Sequence, residues 1–362
     1  MLEPLEGRQL LASAAAVVTS TLADNRGYVE IRFNKALQSK TVTAKGVRVF
    51  TAGTDGVLGT SDDVNVNAKV AYSASKKTIV ITGNVAADAS YRVKLYSSII
   101  KDSDGLKIDG EFKTGGKSGN GTQGGDYQFR VKRDTGANPI MHIISNMGII
   151  DVRMFRGASS FSTVATPGNV AALFKVVNAG NYDNAFVHRV SPNFVVQWGG
   201  LRLTAQGQVD LVPDLPQGDT ITGEPGNSNL RGTLAYALSS GPDTADNELF
   251  FNVKNNNGSA PPSGTGTNLD DSSNGGPFTV LGKITSSKGL AVLDAINALH
   301  RLDLTTPLQG AGSSVNNVPV KASVTVTGET VIAGGTTTKT LNTFKDLVVY
   351  SRVSVLSKVV AV

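Results

Sequence analysis

Cysteine is absent from the 362 residues, which removes disulfides, thiolate nucleophiles and Cys-ligated zinc from consideration. Export stays open, because a large β-protein can hold together without covalent staples. Histidine occurs only as His142, His188 and His300, and no Gly-x-Ser-x-Gly or His-Glu-x-x-His pattern is present. Hydrolase and metalloenzyme chemistry therefore lack their usual anchors. The apolar run of residues 10–18 is broken by Ser13 and falls far short of the ~20 residues a bilayer span needs. Basic residues do not cluster with aromatics: 34 Lys and Arg against 29 Asp and Glu leave +5 spread along the chain, so nucleic-acid binding has little support.

What is abundant is turn chemistry. Forty Gly and 13 Pro favour a mainly β architecture, and the length calls for two or three domains. Residues 21–112 carry alternating runs between Gly, Asp and Asn, as in Val29, Ile31 and Phe33 against Glu30 and Arg32. This predicts a β-sandwich of Ig-like size. Residues 114–125 hold six glycines and no periodicity, so 113–137 reads as a linker. Its Gly116-Lys117-Ser118 is not a phosphate loop, because Glu111 stands where that motif requires glycine. The acidic turns at 54–63 and 102–105 read as ordinary Asp-Gly turns. Calcium at Asp55, Asp62 and Asp63 is the competing reading, and an EF-hand aligned on Gly105 fails because Ile100 takes its first position.

From residue 138 the pattern changes. Strands are predicted at 140–144, 148–154, 189–190, 194–196, 233–237, 249–253 and 278–284. A helix is predicted from an N-cap at Thr166 and Pro167, with Val170, Leu173, Phe174 and Val177 as its stripe and Gly180 as its stop. A second helix carries Leu290, Leu293, Ile296 and Leu299. Two helices among many strands suggest a closed barrel capped by helices. Of two further strand-like runs, 319–326 and 344–356, one is expected to return beside Met141. Within residues 181–200, Arg189 stands just before a Ser-Pro-Asn turn, and Phe194 and Gln197 follow it. Alone, Arg189 is a surface arginine and Phe194 and Phe250 are core; gathered together they point to a pocket.

Three resemblances sharpen these expectations. Leu2-Glu-Pro-Leu-Glu-Gly-Arg-Gln-Leu-Leu-Ala-Ser13 resembles the N-terminal motif of exported planctomycete proteins and implies an extracytoplasmic or cell-surface destination for a chain whose residues 1–20 form an export arm. The stretch from Phe33-Asn-Lys-Ala-Leu37 to Ile100-Lys-Asp-Ser-Asp-Gly105 is similar to bacterial Ig-like surface modules, which implies cell-surface partners. The third is to the cyclophilins, and it spans residues 140–300 in four ordered blocks. These are Tyr182-Asp-Asn-Ala-Phe-Val-His-Arg-Val-Ser-Pro-Asn-Phe-Val-Val-Gln197, Glu224-Pro-Gly-Asn-Ser-Asn-Leu-Arg-Gly-Thr-Leu-Ala-Tyr-Ala237, Gly241-Pro-Asp-Thr-Ala-Asp-Asn-Glu-Leu-Phe-Phe-Asn-Val253 and Phe278-Thr-Val-Leu-Gly-Lys-Ile284.

That resemblance implies an eight-stranded antiparallel barrel with two capping helices over residues 138–362. It also implies peptidyl-prolyl cis–trans isomerisation of X-Pro bonds in polypeptides, with no cofactor and no metal. Arg189, Phe194 and Gln197 would be the catalytic residues. Val195, Ala237, Glu248, Phe250, Leu269, Phe278 and Trp198 would bind substrate. His188 is expected to pack or hydrogen-bond beneath the sheet. The chain departs from the family pattern at Trp198 (glycine), Glu248 (glutamine), Asn268 (tryptophan in many members) and Leu238 (a polar groove residue). A bulky Trp198 would narrow the groove or supply a new wall, and Glu248 would weaken Arg189 if the two met. Asn- and Gly-rich residues 255–276 are expected to be a mobile loop at its edge. The alternative is a surface adhesion protein that grips Pro-containing chains without turnover.

Overall fold

The computed structural model describes residues 13–162, 164–213, 221–304, 315–321 and 343–362. Residues 2–12 of the export-type motif and residues 322–326 of the first C-terminal run lie outside them. The chain divides into two compact units, residues 1–134 with 357–362, and residues 135–356.

The first unit contains β1 (Val18–Ala23), β2 (Tyr28–Phe33), β3 (Val47–Thr51), β4 (Val64–Val66), β5 (Ala68–Ser73), β6 (Thr78–Gly83), β7 (Tyr91–Leu95), β8 (Phe112–Lys113), β9 (Lys117–Ser118) and β10 (Tyr127–Lys132). One antiparallel sheet has the order β1-β2-β6-β5, and a second contains β10-β7-β3-β4 with residues 358–360 on the outer side of β10. Alternation builds the core between them: Val29, Ile31, Tyr91, Val93, Phe129 and Ile79 are all wholly buried in one cluster, while the intervening Glu30 and Arg32 pair on the surface at 2.7 Å.

The expected linker needs correcting. Its first part is a tight β8–β9 hairpin that turns through Gly115 and Gly116, both with left-handed φ. Its second part supplies β10, an interior strand of the sheet, because Tyr127, Phe129 and Val131 alternate with polar residues and bury completely or nearly so. Between them the Asp109 carboxylate accepts from the backbone N–H groups of Asn120 and Gly121, each at 2.8 Å. The first unit thus extends to Asp134 and also begins earlier than residue 21, with β1.

The acidic turns are occupied from within. Asp62 accepts from Thr60 Oγ1 at 2.7 Å, Thr54 Oγ1 at 3.0 Å and the Asp55 N–H at 3.1 Å. The Thr60 hydroxyl, first among these donors, holds the Asp62 carboxyl down at about 2. Asp63 pairs with Arg92 at 2.7 Å. Asp102 is wholly buried rather than solvated and takes Lys35 at 3.0 Å. Among the described residues no group of three or more His, Asp or Glu side chains is placed to hold a metal.

The second unit contains β11 (Ile140–Ser145), β12 (Gly148–Met154), α1 (Pro167–Asn178), β13 (Ala185–Ser191), β14 (Val195–Leu203), β15 (Val209–Leu211), β16 (Thr233–Leu238), β17 (Ala245–Asn252), β18 (Val280–Ile284), α2 (Ser287–Asn297), β19 (His300–Leu302), β20 (Val318–Val320), α3 (Thr343–Asp346) and β21 (Val349–Val355). The strand order β13-β21-β11-β12-β18-β16-β17-β14 closes through a β13–β14 pairing into an antiparallel barrel of eight strands, with β15 attached to β14. The returning strand is the second of the two expected runs: Met141 faces Val355 across β11 and β21. Residues 358–360, here β22, pair instead with β10 of the first unit, so residues 357–362 do not belong to the barrel.

Both helices pack onto the barrel through the predicted stripes, Val170, Leu173 and Val177 on α1 and Leu293 and Ile296 on α2. The N-cap of α1 differs from expectation. Thr166 donates to the Phe155 carbonyl, and the Glu224 carboxylate takes its place by accepting from Gly168 N–H at 3.1 Å and Asn169 N–H at 2.8 Å. Negative charge at a helix N-terminus is favourable for the same reason as a capping oxygen. On α2 the Ser286 hydroxyl caps the Gly289 N–H at 3.0 Å.

Candidate active site

The site lies on the outer face of the barrel, and strand periodicity selects its residues. Along β14, Val196 and Trp198 point into the barrel core, while Val195 and Gln197 point outward. Along β17, Leu249 and Phe251 point inward and Glu248 and Phe250 outward. Gln197 sits directly opposite Phe250 across these two strands.

Strand β13 breaks the alternation. Its register against β14 shifts between Val187 and Arg189, and both Val187 and Val190 are wholly buried in the barrel core. The extra residue is His188, and a bulge of this kind re-aims its neighbour. Arg189 is thereby turned outward opposite Gln197, and its Nη1 donates to Gln197 Oε1 at 3.2 Å. The Gln197 Nε2 in turn donates to Glu248 Oε2 at 2.5 Å. The amide therefore stands between guanidinium and carboxylate, and a charge-only acceptor on one side fixes which end of the amide faces Arg189.

Beside this relay is an apolar patch of Val195, Ala235, Phe250, Leu269 and Val280, with Phe194, Ala237 and Phe278 packed on it and only partly buried. The Phe250 and Phe278 rings meet edge to face at 5.7 Å. Of the ten residues singled out in the sequence, nine are brought together here. Trp198 is the exception and is a correction. It is wholly buried in the barrel core, 4.9 Å from the Tyr350 ring and 5.3 Å from Tyr182, and stacked on Phe251 at 6.3 Å. An inward position one residue after an outward Gln197 leaves it no access to the groove.

Residues 255–276 also differ from the expected mobile loop. Asn256 is wholly buried, and its Nδ2 donates to Asn252 Oδ1 at 2.7 Å and to the Phe194 carbonyl at 3.2 Å. Asn252 donates onward to Asn229 Oδ1 at 3.0 Å and Thr233 Oγ1 at 2.8 Å. Asn229 Nδ2 donates to Asp270 at 2.9 Å. The loop's backbone then fixes Leu269 and Phe278, whose N–H groups donate to the carbonyls of Asn256 and Leu269. These buried amides support the pocket. Their signal in the sequence is the polar run Asn252-Val-Lys-Asn-Asn-Asn257 directly after Phe250-Phe251.

Burial governs the electrostatics. His188 is wholly enclosed, which pushes its imidazole down to about 4, with the neighbouring Arg189 charge adding to the effect. It is neutral at pH 7, so its Nε2, 3.7 Å from Glu248 Oε1, forms no ion pair, and among the described residues neither ring nitrogen has a hydrogen-bond partner. Burial also raises the Glu248 carboxyl above its ordinary value, opposed by the Gln197 hydrogen bond and Arg189.

A closed eight-stranded antiparallel barrel with two packed helices, carrying an arginine–glutamine pair beside an aromatic pocket, defines a narrow class of protein. Residues 159–325 match the family described as cyclophilin type peptidyl-prolyl cis-trans isomerase/CLD. The chain is 29% identical over 185 residues to a peptidyl-prolyl cis-trans isomerase of Acinetobacter baylyi, covering 51% of this chain and 83% of that one. It is 31% identical over 162 residues to peptidyl-prolyl cis-trans isomerase cyp18 of Streptomyces antibioticus, covering 44% and 82%. A crystal structure of a Cryptosporidium parvum cyclophilin type peptidyl-prolyl cis-trans isomerase, in the presence of the dipeptide ala-pro, aligns with a TM-score of 0.34 at 13% identity, over 60% of this chain and 98% of that one. The chain belongs to the cyclophilin-type peptidyl-prolyl cis-trans isomerases.

Proposed function

We propose that the chain accelerates rotation about X-Pro bonds in polypeptides, with Arg189 stabilising the twisted amide. The barrier to peptide-bond rotation is the resonance that makes it planar, about 18–20 kcal/mol, so neither nucleophile nor cofactor is needed. As the amide twists, the prolyl nitrogen loses conjugation and becomes a hydrogen-bond acceptor. A guanidinium aimed at that nitrogen binds the twisted state better than the planar one, which is the condition for a rate gain. Phe194, Phe250, Leu269 and Phe278 would seat the proline ring, with Val195 and Ala237 as the floor. Gln197 holds Arg189 in place through its carbonyl oxygen.

The observation that carries this reading is the Arg189–Gln197 contact at 3.2 Å on the same outward face as Phe250. The adhesion reading loses one of its two supports, since the buried Trp198 obstructs nothing, and retains only Glu248, which meets Gln197 rather than closing on Arg189. Measuring cis-to-trans rates of a short Ala-Pro peptide tests the proposal. Loss of a charged hydrogen bond, about 1.5–3 kcal/mol, makes Arg189→Ala roughly ten- to a hundredfold slower. Equal rates would refute the arginine-centred mechanism, and no acceleration by the native protein would restore the adhesion reading.

We also propose that the protein is exported and that its N-terminal sandwich is an Ig-like module serving cell-surface partners. The Leu2–Ser13 motif and the nine strands of the two packed sheets support this. Fractionation of cells expressing the full chain tests it, and recovery only from the cytoplasm would overturn it.

A further inference from the structure

Glu248 stands between two groups that ask different things of it. Its Oε2 accepts from Gln197 Nε2 at 2.5 Å, and its Oε1 lies 3.7 Å from His188 Nε2. Gly200 leaves room for this placement, since a Cβ there would come within 2.6 Å of Oε1 and 2.8 Å of Cγ. One carboxyl group thus touches the amide that holds Arg189 and faces a buried imidazole.

The two protonation states favour different partners. A carboxylate only accepts, so charged Glu248 takes the Gln197 N–H. By polarising that amide it strengthens Oε1 as the acceptor for Arg189 Nη1 at 3.2 Å. A carboxylic acid has one O–H to place. Gln197 Nε2 is itself a donor, and Gln197 Oε1 is engaged by Arg189. His188 has an acceptor to spare: it is wholly enclosed, and among the described residues neither ring nitrogen has a hydrogen-bond partner. A neutral imidazole always offers one acceptor nitrogen. Turning the acid O–H toward it draws the carboxyl away from Gln197.

The groups around Glu248 set when this happens. Burial raises its carboxyl, opposed by the Gln197 hydrogen bond; the Asp246 charge on the same strand raises it further, and Arg189 on β13 lowers it. Glu248 therefore takes up its proton before an ordinary carboxyl does as pH falls. His188 is pushed down to about 4 by burial and the Arg189 charge, so it is still neutral then. Tyr182, which donates to the Asn247 carbonyl at 2.8 Å, is pushed up by burial and stays un-ionised.

We propose that Glu248 is a positioning residue for the isomerisation: charged, it holds Gln197 and through it Arg189 in the productive pose, and protonated, it turns to His188 and releases them, so that the enzyme slows in acid. The inference rests on the isomerase reading and adds its regulation by pH.

Steady-state kinetics of the full chain on a short Ala-Pro peptide, from pH 8 to pH 5, test it. For the native protein kcat should fall roughly fivefold toward pH 5, about the worth of one hydrogen bond, with KM nearly constant because the apolar proline pocket is untouched. Glu248→Ala should sit near the low level at every pH. Glu248→Gln, whose carbonyl oxygen still accepts from Gln197, should recover part of that loss and show no pH dependence. Gly200→Ala, which displaces the carboxyl group, should lower kcat in the native background and add little to Glu248→Ala. A Glu248→Ala protein with the native kcat at pH 8 overturns the positioning role, and an acid fall that persists in Glu248→Gln overturns the switch. A Gly200→Ala effect of equal size in both backgrounds also counts against it, because the loss would then not run through Glu248. Each of these outcomes leaves the isomerase reading standing, whereas no acceleration of the peptide by the native protein refutes that reading itself.

Discussion

Replacing Trp198 by glycine separates two roles for this side chain, groove wall and core. The indole is wholly buried and touches three aromatic rings at 4.9, 5.3 and 6.3 Å. Truncating a buried aromatic costs about 3–5 kcal/mol, and the lost ring–ring geometry adds about 0.5–1.5 kcal/mol per pair. Glycine in a strand interior costs about 1 kcal/mol more in backbone entropy. Gly199 and Gly200 already follow, so the variant would place three flexible residues in succession on β14. With three such pairs the total, about 6–10 kcal/mol, is much of an ordinary domain's stability. At about 2–4 °C per kcal/mol for a domain of this size, the barrel transition should fall by roughly 10–40 °C. Calorimetry on the full chain is the assay, because it separates a shifted barrel from an unshifted sandwich. As the chain's single tryptophan, Trp198 also reports on itself: native emission should resist acrylamide quenching. A Trp198→Gly protein that melts within a few degrees of the native one and isomerises faster would place the indole in the groove and refute this reasoning.

Two pH effects follow from buried groups. Burial raises the Glu248 carboxyl, so its contribution to stability is full below the unfolded value of about 4.3 and is lost as pH rises through the raised folded value. Glu248→Gln should therefore melt higher than the native protein at pH 7 and converge with it near pH 4; a constant difference across that range would count against it. His188 has the opposite sign. Its imidazole is pushed down to about 4, so stability is full above about 6.5 and drains as pH falls toward 4, by about 3 kcal/mol in all. His188→Phe should flatten the fall in barrel stability between pH 7 and 4.5, as read from denaturant midpoints, and an unchanged slope would mean the ring is not the group responsible.

The sequence made the pocket legible because Arg189, Phe194, Gln197 and Phe250 fall in blocks whose spacing survives folding. For Trp198 the blocks mislead, and alternation from the outward Gln197 is what determines its side. The bulge at His188 had no such signature. It exchanges the faces of Arg189 and Val190, and only the neighbouring strand's register reveals it. The far pairings were also hidden: a glycine-rich run masked β10, and nothing local in residues 358–360 says that they belong to the sandwich while residues 349–355, just before them, belong to the barrel. The amide ladder below Phe194 has the sequence of a loop, because asparagines favour turns when solvated and look identical in sequence when buried.

Those terminal pairings have a consequence for how the protein is made. Strand β21 completes the barrel beside β11, and β22 joins the sandwich beside β10, so both units draw on a stretch that leaves the ribosome after every strand it pairs with. Until residues 349–360 emerge, β11 and β10 each keep an open edge able to pair with another chain.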